Sequence, residues 1–238
     1  MAHPETAEAE AVARLLRIAQ AADAPVILSP ITCRDSLFEL EQARKRGQSA
    51  YATTCPQYLL LDDSVYYEGE NAGRFVCSPP LRDQSQQEPL WKALRRDSIQ
   101  AVASSHRSFT LRQKESDPQD FTAIPAGLPG AENRGELLYT FGVSARRLAP
   151  EDLCRVLSEA PARLCGLYPK KGVLQPGSDA DIVVYDPRAS HVIRADDSLS
   201  RSDYNPYEGF VTTGGITQVY LRGRLAVDQG AVLPAPDG

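Results

Sequence analysis

Helical spacing opens the chain. Over residues 5–22, Val12, Leu15, Leu16 and Ala19 recur in an Ala- and Glu-rich stretch, which predicts an amphipathic helix. Pro25 breaks it. The apolar run Val26-Ile27-Leu28 then predicts a short buried strand that leaves through Ser29-Pro30-Ile31-Thr32. Thr32 is the expected cap of a second helix, Arg34 to Arg46, with Leu37, Phe38 and Leu40 on its apolar face and Gly47 as its stop. Residues 49–55 predict the next strand, and Pro56 to Gly73 a loop with a little helix. Pro79-Pro80 make Phe75 to Arg82 a rigid turn. A helix from Pro89 to Arg96 carries Leu90, Trp91 and Leu94, and a third strand follows at 98–104. Its apolar part, Ile99 to Ala103, stops at Ser104-Ser105-His106. Helices alternating with short apolar strands predict a parallel sheet flanked by helices, with candidate chemistry at the C-terminal strand ends.

The next stretch, 107–135, reads as a long loop, and loops of that length in compact domains tend to carry function. Glu136 to Thr140 reads as helical, Pro150 as the first residue of a helix carrying Leu153, Val156 and Leu157, and another short helix runs to about Leu164, ending at Gly166. After Lys171 the period changes. Residues 181–187 predict a strand closed by Pro187, and 191–193, 217–221 and 224–227 predict further strands. Arg222-Gly223 joins the last two as a tight hairpin turn, and 230–238 reads as a loose tail. The expected fold class is α/β, divided into residues 1–168 around the parallel sheet and 169–238 as a small β module with its tail.

Composition narrows the function classes. With 42% apolar and 24% charged residues, the chain is an ordinary globular one. A net charge of -5 gives no reason to expect nucleic acid, and the basic clusters (Arg44-Lys45-Arg46, Arg95-Arg96, Arg146-Arg147, Lys170-Lys171) lie near helix ends. No apolar run approaches the roughly 20 residues of a membrane span, and Met1-Ala2-His3-Pro4-Glu5 is unlike a signal peptide. The expectation is a cytoplasmic protein with no membrane partner. The five cysteines form no Cys-x-x-Cys pair and read as buried thiols rather than a zinc site. His3, His106 and His191 are far apart, so no His-x-His exists. His106 reads as a hydrogen-bonded structural histidine. Pairing it with Ser105 as base and nucleophile is disfavoured, because strand neighbours point to opposite faces. Asp179 and Asp181 read as ties of their turn.

Six segments carry a resemblance: Thr54-Cys55-Pro56-Gln57-Tyr58-Leu59; Cys77-Ser78-Pro79-Pro80-Leu81-Arg82; Asp120-Phe121-Thr122 with Ile124-Pro125; Gly166 to Gly172; Gly177 to Val183; and Asp203-Tyr204-Asn205-Pro206-Tyr207-Glu208-Gly209. Together, in this order, they resemble the hydantoinase/dihydropyrimidinase family of cyclic amidohydrolases, in its C-terminal half only. The resemblance implies part of a (β/α) barrel beside a β-sandwich-like module. It also implies a binuclear site, usually zinc, that activates water to open the ring amide of hydantoins or dihydropyrimidines. The family's ligands are a His-x-His, a carbamylated lysine, two later histidines and an aspartate that doubles as base.

Set against that pattern, the first His-x-His, the lysine and one histidine fall before Met1. The second later histidine matches Pro30, which has no metal-binding side chain. The aspartate of the family's Asp-His-Cys-Pro-Phe matches Ser105, a poor base and a weak ligand. Ser78 matches a residue that holds the ring, and Ala126 stands where the family's Ile-Pro-Asn-Gly has asparagine, a contact that is largely backbone. The expectation is therefore no metal in this chain alone, with zinc only where a partner completes the site. Three strands alone leave sheet edges and an apolar face to be covered, by a second copy or by a hetero-subunit. Two functions follow: a catalytically silent subunit or binding partner, and one half of a split metal-dependent hydrolase. A protein that binds a cyclic amide without catalysis is a weaker third.

Overall fold

The computed structural model describes residues 3–67, 69–115 and 120–234. Parts of the predicted 107–135 loop and of the tail lie outside them. The first strands and helices alternate as expected: α1 (Glu5–Ala21), β1 (Val26–Leu28), α2 (Arg34–Lys45), β2 (Ala50–Thr54), α3 (Pro56–Leu60), α4 (Gln87–Arg95) and β3 (Ala101–Val102). The strands pair in parallel in the order β1-β2-β3, with Val26 opposite Ala50 and Thr53 opposite Ala101. The third strand is much shorter than the predicted 98–104.

The two faces of this sheet differ. Leu28, Ala50 and Ala52 are buried with Leu16, Leu37 and Leu40 of α1 and α2. Ile27 and Tyr51 sit opposite one another in register and point the other way, 48% and 37% exposed. Two residues further along, Ser29 Oγ lies 2.6 Å from Thr53 Oγ1 on that same face. The open face is thus apolar toward the strand starts and hydroxyl-lined toward the strand ends.

Two helix expectations are corrected. Thr32 does not cap α2; Cys33 occupies that position with no side-chain cap. Thr32 is instead buried and donates its backbone N–H to Glu8 Oε1 at 2.9 Å and its hydroxyl to Glu8 Oε2. Arg82 completes the cluster, with Nη2 2.9 Å from Glu8 Oε2 and Nε donating to Thr32 Oγ1 at 2.9 Å. A hydroxyl needed by a buried ion pair is not free to cap. Phe38 lies on the outer side of α2, 57% exposed, so the apolar stripe is narrower than its spacing implies.

Downstream, α5 (Leu111–Lys114) is one turn closed by a reciprocal Thr110–Gln113 capping box, inside the stretch read as loop. Helix α6 (Arg134–Leu138) runs on as a π-helix, Tyr139–Ser144. Pro150 does start α7 (Pro150–Cys154), which continues through π-helical Arg155–Glu159 into α8 (Ala160–Leu164). The β module is one antiparallel sheet in the order β4-β5-β6-β7: β4 (Ile182–Val192), β5 (Val211–Leu221), β6 (Arg224–Asp228) and β7 (Ala231–Val232). Pro187 does not end its strand. The ladder skips from Asp186 to Ser190, and the proline sits in that irregularity, where no ladder donor is missed. Arg222 and Gly223 both take positive φ, 51° and 80°, as a two-residue hairpin turn requires. Asp181 accepts the Arg222 N–H at 2.8 Å, and Asp179 pairs with Lys171 at 2.9 Å, so both carboxylates tie their turns. The module leans on α6 and its π-helical extension: Tyr139 stacks on Tyr185 with centroids 4.5 Å apart, and Glu136 Oε2 meets His191 Nε2 at 3.3 Å. Cys33, Cys55 and Cys77 are buried, but Cys154 and Cys165 are exposed, which corrects the reading of all five as buried.

Candidate functional site

Three chain segments meet beyond the end of β3. The first follows the strand itself. Ser104 Oγ accepts the His106 N–H at 3.3 Å, and Ser105 adopts φ 46°, so it lies on no strand. Its side chain is exposed and makes no hydrogen bond among the described residues. His106 Nδ1 accepts the N–H groups of Gly130 and Ala131 at 3.2 and 3.3 Å. An imidazole that accepts on Nδ1 carries its proton on Nε2 when neutral, and the accepting nitrogen is not available to a serine. His106 is therefore the structural histidine expected, and the reason it cannot serve Ser105 is this backbone engagement rather than strand alternation.

The second segment is Val76-Cys77-Ser78, and the third is Pro125-Ala126-Gly127. Gly127 donates its N–H to Val76 O at 3.0 Å, and Arg107 donates its N–H to Leu128 O at 2.9 Å, so the third segment is sewn to both others. Gly127 sits at φ 155°, where a Cβ would lie 2.4 Å from Arg107 Cβ. Only glycine allows this approach. The hydrogen-bonded ladder leaves Ser78 exposed and Ala126 half-buried.

Beneath that ladder lies Lys114, which sequence reasoning missed. It is fully buried, and its Nζ donates to Val76 O, Pro125 O and Gly127 O at 2.7, 2.8 and 3.1 Å. Burial lowers its pKa to about 8. Cys55 and Cys77 lie nearby. Burial pushes the Cys55 thiol up to about 12 and that of Cys77 upward as well, so neither offers a thiolate near neutral pH. Arg134 donates to Val102 O at 3.3 Å, at the very end of β3.

The donor set does not suit a binuclear metal site. At the strand ends stand Pro30 and Ser105, the nearest imidazole is held by two backbone N–H groups, and the nearby thiols are protonated. Among the described residues, no three His, Cys, Asp or Glu side chains cluster in a way that would hold a metal ion. Hydroxyls, backbone groups and one small apolar side chain are what this surface offers, a set suited to hydrogen bonding a small polar ring.

A model of the amidohydrolase family matches residues 6–226. The chain belongs to this family. Hydantoinases and dihydropyrimidinases are among the proteins it is similar to. It is 41% identical over 232 residues to a D-phenylhydantoinase of Escherichia coli O81 (strain ED1a), covering 97% of this chain and 50% of the relative. A dihydropyrimidinase from Brevibacillus agri NCHU1002 superposes with a TM-score of 0.95 at 35% identity, over 97% of this chain and 50% of that one. An L-hydantoinase (dihydropyrimidinase) from Arthrobacter aurescens superposes with a TM-score of 0.91 at 31% identity, over 97% and 51%. The chain thus spans about half the length of the relatives it matches. Among its described residues no helix is long and apolar enough to cross a membrane.

Proposed function

We propose that this chain is a hydantoinase/dihydropyrimidinase-like half-unit, equivalent to the C-terminal half of its relatives. It is catalytically silent alone and acts as a non-catalytic subunit or binding partner. The observation that carries the reading is the pair Pro30 and Ser105. The two positions where the family resemblance implies a histidine and an aspartate bear no metal donor of use. Ser78 and the backbone at Ala126 remain as the contact surface for a cyclic amide. Residues 1–168 then form the partial barrel and 169–238 the β-sandwich-like module, which lacks a second layer among the described residues. The setting is cytoplasmic.

The test is direct. Purified chain is assayed for metal content and for hydrolysis of hydantoin and dihydrouracil. The expected result is no bound zinc and no turnover. About two zinc ions per chain together with ring opening would overturn the reading.

A second reading rests on the open face of the β1-β2-β3 sheet. Here the chain is one half of a split cyclic amidohydrolase, and a polypeptide equivalent to the relatives' other half supplies zinc ligands. Ser78 and Ala126 hold the ring, and Ser105 leaves a weakened site without its general base. Mixing the chain with the complementary half of a hydantoinase decides it: zinc uptake with hydrolysis supports the split enzyme, and complex formation without hydrolysis supports the silent subunit.

A further inference from the structure

We infer that Lys114 is the positioning residue of the ring-holding surface: its ammonium gathers the carbonyls of Val76, Pro125 and Gly127 and so sets the spacing between Ser78 and Ala126. The inference rests on the proposed role of those two positions. Its geometry stands apart from that role. The two loops are 38 and 11 residues away from Lys114 in sequence, and one cation spans both through bonds of 2.7 to 3.1 Å. Carbonyl oxygens repel when crowded together, and a fully buried ammonium with three donors offsets that. Ser78 lies two residues beyond Val76, and Ala126 between Pro125 and Gly127. A shift of the lysine therefore moves both.

The placement of Lys114 is itself over-determined. The Thr110–Gln113 capping box fixes the turn that carries it, and Leu111 N donates to Asp203 Oδ1 at 2.7 Å. Gly73 makes room, since a Cβ there would lie 2.9 Å from Lys114 O. The Phe109 ring closes one side with its centroid 5.9 Å from Nζ. The surrounding titratable groups do not compete. The Cys77 thiol stays protonated, and Arg74 and Glu115 face each other at 3.9 Å.

The experiment is residue-resolved amide exchange on the whole chain, corrected for intrinsic rates, with the Gly127 N–H as reporter and β4–β5 amides as control. In Lys114→Met, Gly127 exchange is expected to rise at least tenfold with the control unchanged, and the affinity for hydantoin, followed at the Ser78 and Ala126 amides, to fall at least fivefold. Unchanged Gly127 exchange overturns the inference, as does faster exchange with hydantoin affinity intact. Should the variant fail to fold, the unaltered chain carries the test: an opening that frees Gly127 also returns Lys114 to its ordinary pKa of 10.5, so Gly127 protection is expected to rise as pH passes about 8, and a flat profile overturns the inference. Hydantoin shifts absent from the unaltered chain overturn the ring-holding reading itself, a failure distinguished by Gly127 exchange that still responds to pH.

Discussion

At the scale of single residues, Gly127 and Lys114 do opposite jobs at one place. Gly127 removes an obstacle, and Lys114 supplies an attraction. Gly127→Ala combines a φ of 155° with a Cβ 2.4 Å from that of Arg107. It is expected to cost at least about 2 kcal/mol, read as a lower urea midpoint. Lys114 gives a signed pH dependence. Its folded pKa of about 8 lies below the ordinary lysine value of 10.5, so between those values the unfolded chain holds a proton that the folded chain has lost. Stability relative to Lys114→Met should therefore rise with pH from about 8 to about 10.5, by up to about 3 kcal/mol, and stay flat below. Urea titrations of both proteins at pH 7, 9 and 10.5 check this. Gly127 follows Ala126 in the segment that resembles the family's Ile-Pro-Asn-Gly, but nothing in the sequence marks its close approach to Arg107. Lys114 was not legible there either, because its surroundings read as a polar loop, and only the fold brings its three carbonyl partners together.

At the scale of elements, the core of the parallel layer is tied by a charged cluster rather than by apolar packing alone. Glu8 of α1, Thr32 after β1 and Arg82 after the double proline share one buried network, the ion pair only 2% and 6% exposed. Removing one partner leaves the other charge buried and unpaired. Glu8→Ala should thus destabilise by about 3–5 kcal/mol, against under about 1 kcal/mol for Glu10→Ala in the exposed Glu10–Arg14 pair. Helix periodicity located α1 and α2 well, because an amphipathic stripe is a local property. It could not show that Thr32 serves a partner 50 positions downstream. Nor could it show that Phe38 stays outside. Pro187 misled for a related reason: a proline ends a strand only where the ladder needs its missing N–H, and here the ladder steps over it.

At the scale of the whole molecule, the sheet has one face packed and one face open. Ile27 and Tyr51 form the apolar end of the open face, and both outer strands of the sheet have an unpaired edge among the described residues. Isolated chain is expected to self-associate, and Ile27→Lys with Tyr51→Lys to shift it toward monomer, as measured by light scattering. Adding the complementary half of a hydantoinase should suppress that association in the unaltered chain. Alternating helices and strands made the parallel layer legible from the sequence, as did the six family segments.

The strand order has one more consequence, for the history of the molecule rather than its finished state. In β1-β2-β3 each strand pairs only with the next one along the chain, and the ladders are parallel. The layer can therefore assemble progressively from its N-terminal side as the polypeptide emerges, each crossover closing before the next begins. Lys114 and the two loops it gathers come later, and the antiparallel sheet later still. During synthesis the open face of this layer is complete before the loops gathered by Lys114 and the antiparallel sheet exist.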